Sequence, residues 1–474
     1  MEHPTSYRNR RVVVLGLARS GVSVAKVFHA AGAEVVVNDK KSREASPEAD
    51  ELEALGITVI CGGHPDRLVT ADTALLVKNP GIPYTAEPVA EARSLGVEIV
   101  TEVEVAYRLS PAPIVGITGS NGKTTTTTWI GELLRASGMS PIVAGNIGIP
   151  LCEAAQEATE RDVLVAELSS FQLKGTDRFR PRVGVLLNVA ETHLDYHGSM
   201  ADYVASKLKL FANQTEEDTA VLNWDDPVCR EAAGGVKARL LPFSMKERLE
   251  EGVCIEPPFG EAGDDGDSGR MIVLRRRGEP DTPIVPVDEL GLPGRHNAAN
   301  SLAAIAACLA AGADADRLAE TLRSFRGVEH RLEYVTEKNG VKYYNDSKAT
   351  NPTATIMAVR SLKGGIVLVA GGLDRGSDYM ELLPLFRERV KAVVAIGETR
   401  EKIANVAALA GLTAVKTVEP EEDAEATLRL AVREASRLAE PGDTVLLSPA
   451  CASWDMFATY EHRGRIFKES AHIL

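Results

Sequence analysis

Short apolar runs typical of buried strands alternate with helix-like segments along nearly the whole chain. Examples are residues 11–15, 183–187 and 444–448. This alternation indicates parallel sheets covered by helices, because two parallel strands need a crossover segment between them. A length of 474 residues suits about three domains. We therefore predict a three-domain α/β protein whose domains span residues 1–101, 102–327 and 328–474.

The composition narrows the class of protein. A net charge of −14 and an aromatic content of 5% argue against nucleic-acid binding, which uses basic and stacking surfaces. We predict no signal peptide, because the apolar run at residues 12–15 breaks at Gly16, and we find no apolar run long enough to span a membrane. The six cysteines lack metal-type spacing. These features favour a cytoplasmic protein with reduced thiols.

Residues 113–129 predict a strand, a glycine-rich loop and a helix. The loop, residues 118–124, reads Thr-Gly-Ser-Asn-Gly-Lys-Thr. Its glycines let backbone N–H groups surround phosphate oxygens, while Lys123 offers a charge to the outer phosphates and Thr124 a hydroxyl to Mg²⁺. The strict pattern requires glycine where Ile117 stands, so the loop is a variant that differs from ordinary GTPases. The alternative is a threonine-rich turn.

The first domain resembles half of a Rossmann fold. A strand at residues 11–15 leads into the turn Gly-Leu-Ala-Arg-Ser-Gly, and a second strand ends at Asp39. Ala18 stands where the fingerprint has its middle glycine, so either NAD or a nucleotide-sugar diphosphate fits this turn. Residues 79–83, Asn-Pro-Gly-Ile-Pro, follow another strand-like run. They are either a ligand loop at the sheet edge or a plain turn.

Polar residues in the central domain follow predicted strands. Glu167 ends a strand beside the phosphate loop, where a Mg²⁺ carboxylate is expected. His193 and Asp195 follow the next strand, and we place them on a loop at the same edge. His193 is then a second metal ligand or a substrate contact, the alternative being an ordinary exposed histidine.

Tyr203 and Lys207 lie four positions apart on a predicted helix and so share one face. An unmodified ammonium would repel Mg²⁺, so a metal role for Lys207 requires carbamylation by CO₂; a solvated surface lysine is the alternative. Asn297 and Asn300 precede an alanine-rich helix and either read a nucleobase or cap the helix. We interpret residues 246–286 as a hairpin-bearing surface insertion, in which the acidic stretch 260–269 is a solvated loop rather than a calcium site.

In the third domain, three polar loops follow consecutive strand-like runs. They begin at Asn345, Gly371 and Ser448, and they read Asn-Asp-Ser-Lys-Ala-Thr-Asn, Gly-Gly-Leu-Asp-Arg-Gly and Ser-Pro-Ala-Cys-Ala-Ser-Trp-Asp. Loops at neighbouring strand ends meet at one sheet edge. We therefore predict a binding rim for an anionic substrate.

Taken together, these motifs resemble the Mur ligases over essentially the whole chain. The resemblance rests on GITGSNGKTTT, ELSSFQL, NVAETHLD, YxxxK, GRHNAANSLAA, EHRLE, NDSKATN, GGLDRG and SPACASWD. The last four resemble the D-glutamate-adding members of this family. The resemblance implies an N-terminal Rossmann-like domain for a uridine diphosphate precursor, a P-loop ATPase-like central domain, and a Rossmann-like C-terminal domain for the incoming amino acid.

The implied activity is the ATP-dependent ligation of D-glutamate to UDP-N-acetylmuramoyl-L-alanine through an acyl phosphate, in peptidoglycan precursor synthesis. By resemblance, the catalytic residues are Lys123, Glu167, His193, Lys207 and Lys348. The loop that binds the ATP phosphates comprises Gly119, Ser120, Asn121, Gly122, Lys123, Thr124, Thr125 and Thr126. The remaining nucleotide contacts are Asn297, Asn300, Arg331 and Asp346.

The resemblance also implies metal and substrate sites. One Mg²⁺ is held by Thr124 and Glu167, and a second by His193 and carbamylated Lys207. The precursor contacts are Ser20, Gly21, Asp39, Lys40, Asn79, Gly81, Asn146 and His193. The D-glutamate side comprises Lys348, Thr350, Arg375, Ser453 and Tyr460; some members carry lysine instead of Arg375 and phenylalanine instead of Tyr460.

Two other functions fit parts of the pattern. A folylpolyglutamate-type ligase shares the central loop but is expected to lack the Asn-Asp-Ser-Lys and Ser-Pro-Ala-Cys motifs. A non-catalytic nucleotide switch is the other alternative, although the chain has no Asn-Lys-x-Asp motif for reading guanine. We expect a monomer that binds neither nucleic acid nor membrane.

Overall fold

The structure is a computed structural model that describes residues 1–192, 194–260, 269–362 and 364–474, without the side chains of Ala45 and Asp195. The chain divides into two compact units, residues 1–290 with 296–324, and residues 291–295 with 325–474. Three sheets of five, nine and six strands carry the fold. In the described residues, no helix combines the length and apolar character needed to cross a bilayer.

The first sheet is parallel and has the strand order β3-β2-β1-β4-β5. Its strands are β1 (Arg11–Leu15), β2 (Glu34–Asp39), β3 (Thr58–Cys61), β4 (Thr73–Lys78) and β5 (Ile99–Val100). The accompanying helices are α1 (Arg19–Ala30), α2 (Glu48–Ala54), α3 (Glu87–Ser94) and α4 (Glu102–Leu109). Valine and leucine fill β1 and β4, which are buried at the centre of this sheet.

The second sheet has the order β14-β13-β12-β11-β10-β9-β6-β8-β7. Its strands are β6 (Ile114–Thr118), β7 (Ser140–Gly145), β8 (Asp162–Glu167), β9 (Val183–Leu186), β10 (Thr219–Asn223), β11 (Arg239–Ser244), β12 (Gly252–Glu256), β13 (Met271–Arg275) and β14 (Thr282–Pro286). Its helices are α5 (Lys123–Ala136), α6 (Leu151–Glu157), α7 (Ser170–Lys174), α8 (Leu194–His197), α9 (Met200–Leu208), α10 (Pro227–Ala232), α11 (Arg295–Ala310) and α12 (Ala319–Ser324). The strands from β7 to β12 pair in parallel, while β13 and β14 are antiparallel additions.

The segment at residues 246–286 corrects one interpretation. It is not a surface insertion, because β12 pairs with β11 and the hairpin β13–β14 continues the central sheet. Val253, Cys254 and Ile255 are fully buried. Consecutive residues of a strand point to opposite faces of the sheet, so both faces of β12 are buried and the segment extends the core. The acidic residues 261–268 lie outside the described residues.

The third sheet has the order β15-β16-β20-β17-β18-β19 and is parallel except for the β15–β16 pair. Its strands are β15 (Glu333–Lys338), β16 (Val341–Asn345), β17 (Ile366–Gly371), β18 (Val390–Ile396), β19 (Val415–Thr417) and β20 (Thr444–Leu447). Its helices are α13 (Pro352–Ser361), α14 (Leu383–Arg389), α15 (Arg400–Leu409), α16 (Ala424–Leu438) and α17 (Tyr460–Ile473). The neighbours β16, β20 and β17 carry the three predicted polar loops at their carboxyl ends.

Candidate active site

The glycine-rich loop lies between β6 and α5, as the sequence predicts. Gly122 precedes α5 with φ of 80°, a left-handed conformation that favours glycine. A Cβ at this position would come within 2.3 Å of the Asn300 side-chain oxygen, so the loop also needs the missing side chain. The Lys123 ammonium donates hydrogen bonds to the carbonyls of Gly119 at 2.9 Å and Ser120 at 3.1 Å. The loop thus has the conformation and the charge to receive phosphate.

Side chains from two other segments hold the loop. The Asn121 N–H donates to the Asn188 side chain at 2.9 Å, and the Ser120 N–H donates to the Asn188 carbonyl at 2.9 Å. The hydroxyls of Ser120 and Tyr203 lie 2.9 Å apart. Asn188 was not predicted as a site residue, although its place directly after a buried strand is a usable signal. Thr125 and Thr126 are buried in the first turns of α5.

Glu167 is the predicted metal carboxylate, and it lies at the end of β8, opposite Ile117 of β6. The residue is 2% exposed. Its Oε1 accepts a hydrogen bond from the Asn146 side chain at 2.8 Å, whereas its Oε2 is buried without a partner among the described residues. An unpartnered buried carboxylate oxygen is costly unless something binds it. A hard oxygen at the end of the strand that pairs with β6, the strand leading into the phosphate loop, fits Mg²⁺.

Lys207 lies on α9 and is 1% exposed, so the surface-lysine alternative is wrong. Its ammonium donates to the Gly119 carbonyl at 2.9 Å and lies 4.7 Å from the centroid of the Tyr203 ring. Burial, and then the proximity of Lys123, lower the pKa of Lys207 to about 6. Burial thus favours the neutral amine of Lys207 more than it would at an exposed lysine.

The segment around His193 is described only in part. His193 lies outside the described residues, and the next four residues form α8. Asp195 therefore lies in a short helix and not on the predicted loop, because the chain turns helical directly after position 193. His197 in the same helix is buried, with its Nδ1 2.7 Å from Asp202 and its Nε2 3.0 Å from the Ser170 hydroxyl.

Asn297 and Asn300, the predicted nucleotide residues of the first unit, lie on α11 and are buried. The Asn300 side chain donates to the Asn297 side-chain oxygen at 3.4 Å. Since Asn300 also approaches Gly122, the structure brings the start of α11 to the phosphate loop. If Asn297 and Asn300 only capped the helix, Asn300 would not need to lie next to Gly122.

The predicted precursor residues of the first domain gather at the carboxyl edge of its sheet. Both Asp39 carboxylate oxygens accept backbone N–H groups, from Leu17 at 2.7 Å and from Lys41 at 2.9 Å. The Asn79 side-chain amide donates to the Ser20 hydroxyl at 3.5 Å, and its side-chain oxygen accepts a hydrogen bond from the Gly81 N–H at 3.2 Å. Ser20 and Gly21 lie in the first turn of α1, and Lys40 is exposed. The edge thus presents a helix N-terminus and short polar side chains to a ligand.

The three polar loops of the third domain meet as predicted. The Leu373 N–H donates to the Ala452 carbonyl at 3.0 Å. A Cβ at Gly372, whose φ is 156°, would lie 2.3 Å from the same carbonyl. Arg463 fixes the third loop to the first, because its guanidinium donates to both oxygens of Ser347 and to the Cys451 carbonyl at 2.9 to 3.1 Å. Arg463 was not predicted as a site residue; it lies 116 positions from Ser347 along the chain.

Charged and aromatic side chains pair around these loops. The Lys348 ammonium lies 5.7 Å from the centroid of the Tyr460 ring, and the Arg375 guanidinium lies 5.0 Å from that of Trp454. Trp454 is 65% exposed and was not predicted as a site residue. Thr350 follows Lys348 and is half-buried, whereas Ser453 is buried. The rim therefore offers two cations and hydroxyl groups to an acidic ligand.

Asp346 is the buried carboxylate of the rim. Its oxygens accept hydrogen bonds from the Leu332 N–H at 3.0 Å and the Ser448 hydroxyl at 2.8 Å. Burial raises the pKa of Asp346 to about 7, although Ser448 and the nearby Arg331 oppose the shift. Asp346 is thus already bonded within the fold.

The carboxylates of Glu329 and Glu333 and the ring of His330 lie close enough to hold a metal ion. The Lys468 ammonium, however, pairs with Glu329 and with Glu333 at 2.9 Å. A lysine therefore supplies the positive charge in this cluster.

Three family models match the chain in order along its length. They are described as the Mur ligase MurD-like N-terminal domain, over residues 10–101; the Mur ligase middle domain, over residues 117–308; and the Mur ligase glutamate ligase domain, over residues 330–451. Each of the three sheets falls largely within one of these matches. The matches support the predicted fold class without fixing the exact domain boundaries.

Full-length relatives and solved structures agree with these matches. The chain is 47% identical to the UDP-N-acetylmuramoylalanine–D-glutamate ligase of Geobacillus kaustophilus, covering 99% of this chain and 98% of the relative. It is 48% identical to the enzyme of that name from Shouchella clausii, covering 98% and 97%. Its fold resembles UDP-N-acetylmuramate-alanine ligase MurC from Thermotoga maritima, with a TM-score of 0.57 at 20% identity over 98% of this chain and 99% of that one. The chain belongs to the Mur ligase family.

Proposed function

We propose that this protein joins D-glutamate to UDP-N-acetylmuramoyl-L-alanine at the expense of ATP. The observation that carries the proposal is the site around the phosphate loop: a buried Glu167 oxygen without a partner in the described residues lies at the end of the strand that pairs with β6, and the buried Lys207 side chain bonds the Gly119 carbonyl of the loop. The names of full-length relatives at 44 to 48% identity support the choice of substrates.

The chemistry needs an activated carboxyl group, because a free carboxylate is a poor electrophile. The alanyl carboxylate of the precursor attacks the γ-phosphorus of ATP, and ADP leaves. The D-glutamate amine then attacks the acyl phosphate carbon, loses a proton, and phosphate leaves as the amide bond forms. Lys123 stabilises the charge that develops on the transferred phosphoryl group.

Magnesium supplies neutralisation of the phosphate charge when it is bound. We assign Thr124 and Glu167 to one ion, and His193 with a carbamylated Lys207 to a second. The Lys207 amine attacks CO₂, forms an N–C bond and releases one proton, which leaves a carbamate. Its pKa of about 6 supports this step, since only the neutral amine is a nucleophile.

The substrate contacts follow the loops described above. We assign the uridine diphosphate part of the precursor to the first-domain edge that contains Ser20, Gly21, Asp39, Lys40, Asn79 and Gly81. We assign its reacting end to Asn146 and His193. The rim residues Lys348, Thr350, Arg375, Ser453 and Tyr460 are the proposed D-glutamate contacts, because cations and hydroxyls suit two carboxylates.

For the nucleotide we propose contacts in each unit. Asn297 and Asn300 serve in the first unit, supported by the approach of Asn300 to Gly122. Arg331 and Asp346 contact the nucleotide in the second unit. To do so, Asp346 must give up one of its hydrogen bonds from the Leu332 N–H and the Ser448 hydroxyl and bond the ligand instead. We further propose domain boundaries at 101/102 and 327/328, a monomer, and a cytoplasmic location, which the free state of all six cysteines supports.

A coupled assay tests this function directly. Purified protein is incubated with ATP, Mg²⁺, precursor and single D- or L-amino acids, and ADP release and product mass are measured. We expect turnover only with all components and strongest with D-glutamate, while omission of the precursor is the matched control. Preference for L-lysine or diaminopimelate would overturn the substrate assignment. Activity on folate would favour a polyglutamate-type ligase, and ATP hydrolysis independent of both substrates would favour a switch.

A further inference from the structure

A cluster of aromatic and basic side chains joins the first domain to the central domain within the first unit. We call it the junction cluster; its members are Lys78, Tyr84, Phe171, Lys174, Tyr196 and His197. Lys78 ends β4 immediately before the loop at residues 79–83, whereas Tyr196 lies on α8. None of these residues belongs to the phosphate loop or to the proposed ligand contacts.

Tyr196 holds the loop from the side of the central domain. Its hydroxyl donates a hydrogen bond to the Pro80 carbonyl at 3.0 Å and accepts one from the Lys78 ammonium at 3.3 Å. Lys78 also donates to the carbonyls of Asn79 and Pro80, both at 3.2 Å. Asn79 and Gly81 of this loop are proposed precursor contacts. One tyrosine hydroxyl and one ammonium therefore fix the backbone on which those contacts lie.

The Tyr196 ring is also connected to the phosphate loop through packed aromatic side chains. Its ring centroid lies 4.4 Å from that of Phe171 and 5.1 Å from that of His197. The His197 ring in turn lies 5.3 Å from the ring of Tyr203. The Tyr203 hydroxyl contacts Ser120 of the phosphate loop at 2.9 Å. A continuous series of packed side chains thus connects the two loops.

Packing alone does not account for a lysine at this position. Lys78 is 1% exposed and lies 4.7 Å from the Tyr84 ring centroid, while Lys174 adds a second positive charge nearby. Burial, and then Lys174, lower the pKa of Lys78 to about 7. A methionine would fill similar volume without desolvation of an amine. The ammonium is therefore expected to serve the loop carbonyls rather than the stability of the core.

We propose that Tyr196 and Lys78 are positioning residues that align the precursor loop with the phosphate loop. The alignment brings the carboxylate of the bound precursor to the γ-phosphate, and it couples the binding of the two ligands. This inference rests on the proposed function, because it takes residues 79–81 as precursor contacts. Small misplacement of reacting groups is sufficient to cost large factors in rate.

Tyr196→Phe tests the proposal because it keeps the ring and removes only the hydroxyl. We expect kcat to fall at least tenfold, with the KM for D-glutamate unchanged within about twofold. Lys78→Met is expected to lower kcat in the same way, and the double variant to lose less than the product of the two single losses. The matched control is Tyr84→Phe, since none of the contacts above uses the Tyr84 hydroxyl.

A binding measurement separates positioning from a merely structural role. The affinity of a non-hydrolysable ATP analogue is measured with and without precursor, in the wild type and in Tyr196→Phe. We expect precursor to tighten the analogue in the wild type, and this coupling factor to fall at least fivefold in the variant at an unchanged unfolding midpoint.

Several outcomes would overturn the inference. They are unchanged kcat and coupling in Tyr196→Phe, absence of coupling in the wild type, or an equal loss in Tyr84→Phe accompanied by lower thermal stability. The proposed function is tested separately by wild-type product formation. A wild type that forms product together with an unaffected Tyr196→Phe variant rejects only the positioning role.

Discussion

The phosphate loop of the central domain and the rim of the third domain are both built at the carboxyl ends of parallel strands, but their buried carboxylates differ. Glu167 leaves one buried oxygen without a partner in the described residues. Asp346 has hydrogen bonds to Leu332 and Ser448. Groups left unsatisfied in a folded core mark the place that a ligand completes, whereas satisfied groups hold a surface in shape.

The lysines show the same difference. The Lys123 ammonium donates to the carbonyls of Gly119 and Ser120, and the Lys207 ammonium donates to the Gly119 carbonyl and to the Thr118 hydroxyl at 3.4 Å. In the third domain, Arg463 bonds two loops together, and Lys402 pairs with Asp374 at 2.7 Å. Asp455 differs from Asp346, since its buried Oδ1 has no hydrogen-bond partner among the residues that the structure describes. We therefore expect substitutions near the phosphate loop to affect chemistry, and those in the rim to affect binding and stability.

Lys123→Ala gives the largest expected effect. Loss of one charge at the transferred phosphoryl group is worth several kcal/mol in the transition state, so we expect kcat to fall by about 10³-fold or more. The unfolding midpoint should remain near that of the wild type, since the hydrogen bonds from Lys123 to Gly119 and Ser120 are local contacts within its own loop. Near-normal turnover would contradict the assignment of this loop to ATP phosphates, and with it the distinction between the phosphate loop and the rim of the third domain.

Lys207→Ala is expected to lose most of the activity, by about 10²-fold, because the carbamate oxygens are removed from the metal site. A short carboxylate such as formate or acetate should restore part of it by replacing those oxygens. Lys209→Ala is the matched control, since the Lys209 ammonium bonds the carbonyls of Lys174 and Thr176 away from the phosphate loop. Full activity of Lys207→Ala in bicarbonate-free buffer would show that no carbamate is needed.

Arg463→Met tests the rim. Three carbonyl and hydroxyl oxygens lose their donor, so we expect the unfolding free energy to fall by about 2–4 kcal/mol. The KM for D-glutamate should rise about tenfold while the KM for ATP changes little. Steady-state kinetics and denaturant unfolding measure the two effects. A fall in kcat with an unchanged KM for D-glutamate would contradict the distinction between the two regions.

The sequence pattern around each strand predicted the site features that lie within one continuous segment. The glycine-rich loop and the three rim loops each follow a predicted strand and Glu167 ends one, and each was predicted close to its observed place. The partners that hold them were missed: Asn188, Tyr196 and Arg463 come from distant segments that only the folded chain brings together. The strands at residues 252–286 were misjudged because a short apolar run does not reveal whether it extends a sheet. The role predicted for His193 stays a prediction.

The smallest expected effect is a contrast in pH dependence between two buried groups, one in each compact unit. Lys78 has a folded pKa of about 7, below the unfolded value of 10.5. Between these values the unfolded chain binds more protons, so Lys78 makes stability rise as pH rises from 7 to 10.5, and its contribution levels off below pH 7. Asp346 has a folded pKa of about 7, above the unfolded value of 3.8, so its contribution falls as pH rises from 4 to 7.

Each group contributes at most about 1.4 kcal/mol per pH unit within its window. Denaturant unfolding of wild type and Lys78→Met at pH 7.5 and 9 should show a smaller gain with pH in the variant. For Asp346→Asn at pH 5 and 6.5, the variant should lose less stability with rising pH than the wild type. Parallel curves of unfolding free energy against pH for Lys78→Met and the wild type would mean that Lys78 stays charged in the folded protein. A charged Lys78 would need a further partner for its ammonium, beyond its contacts with Asn79, Pro80 and Tyr196.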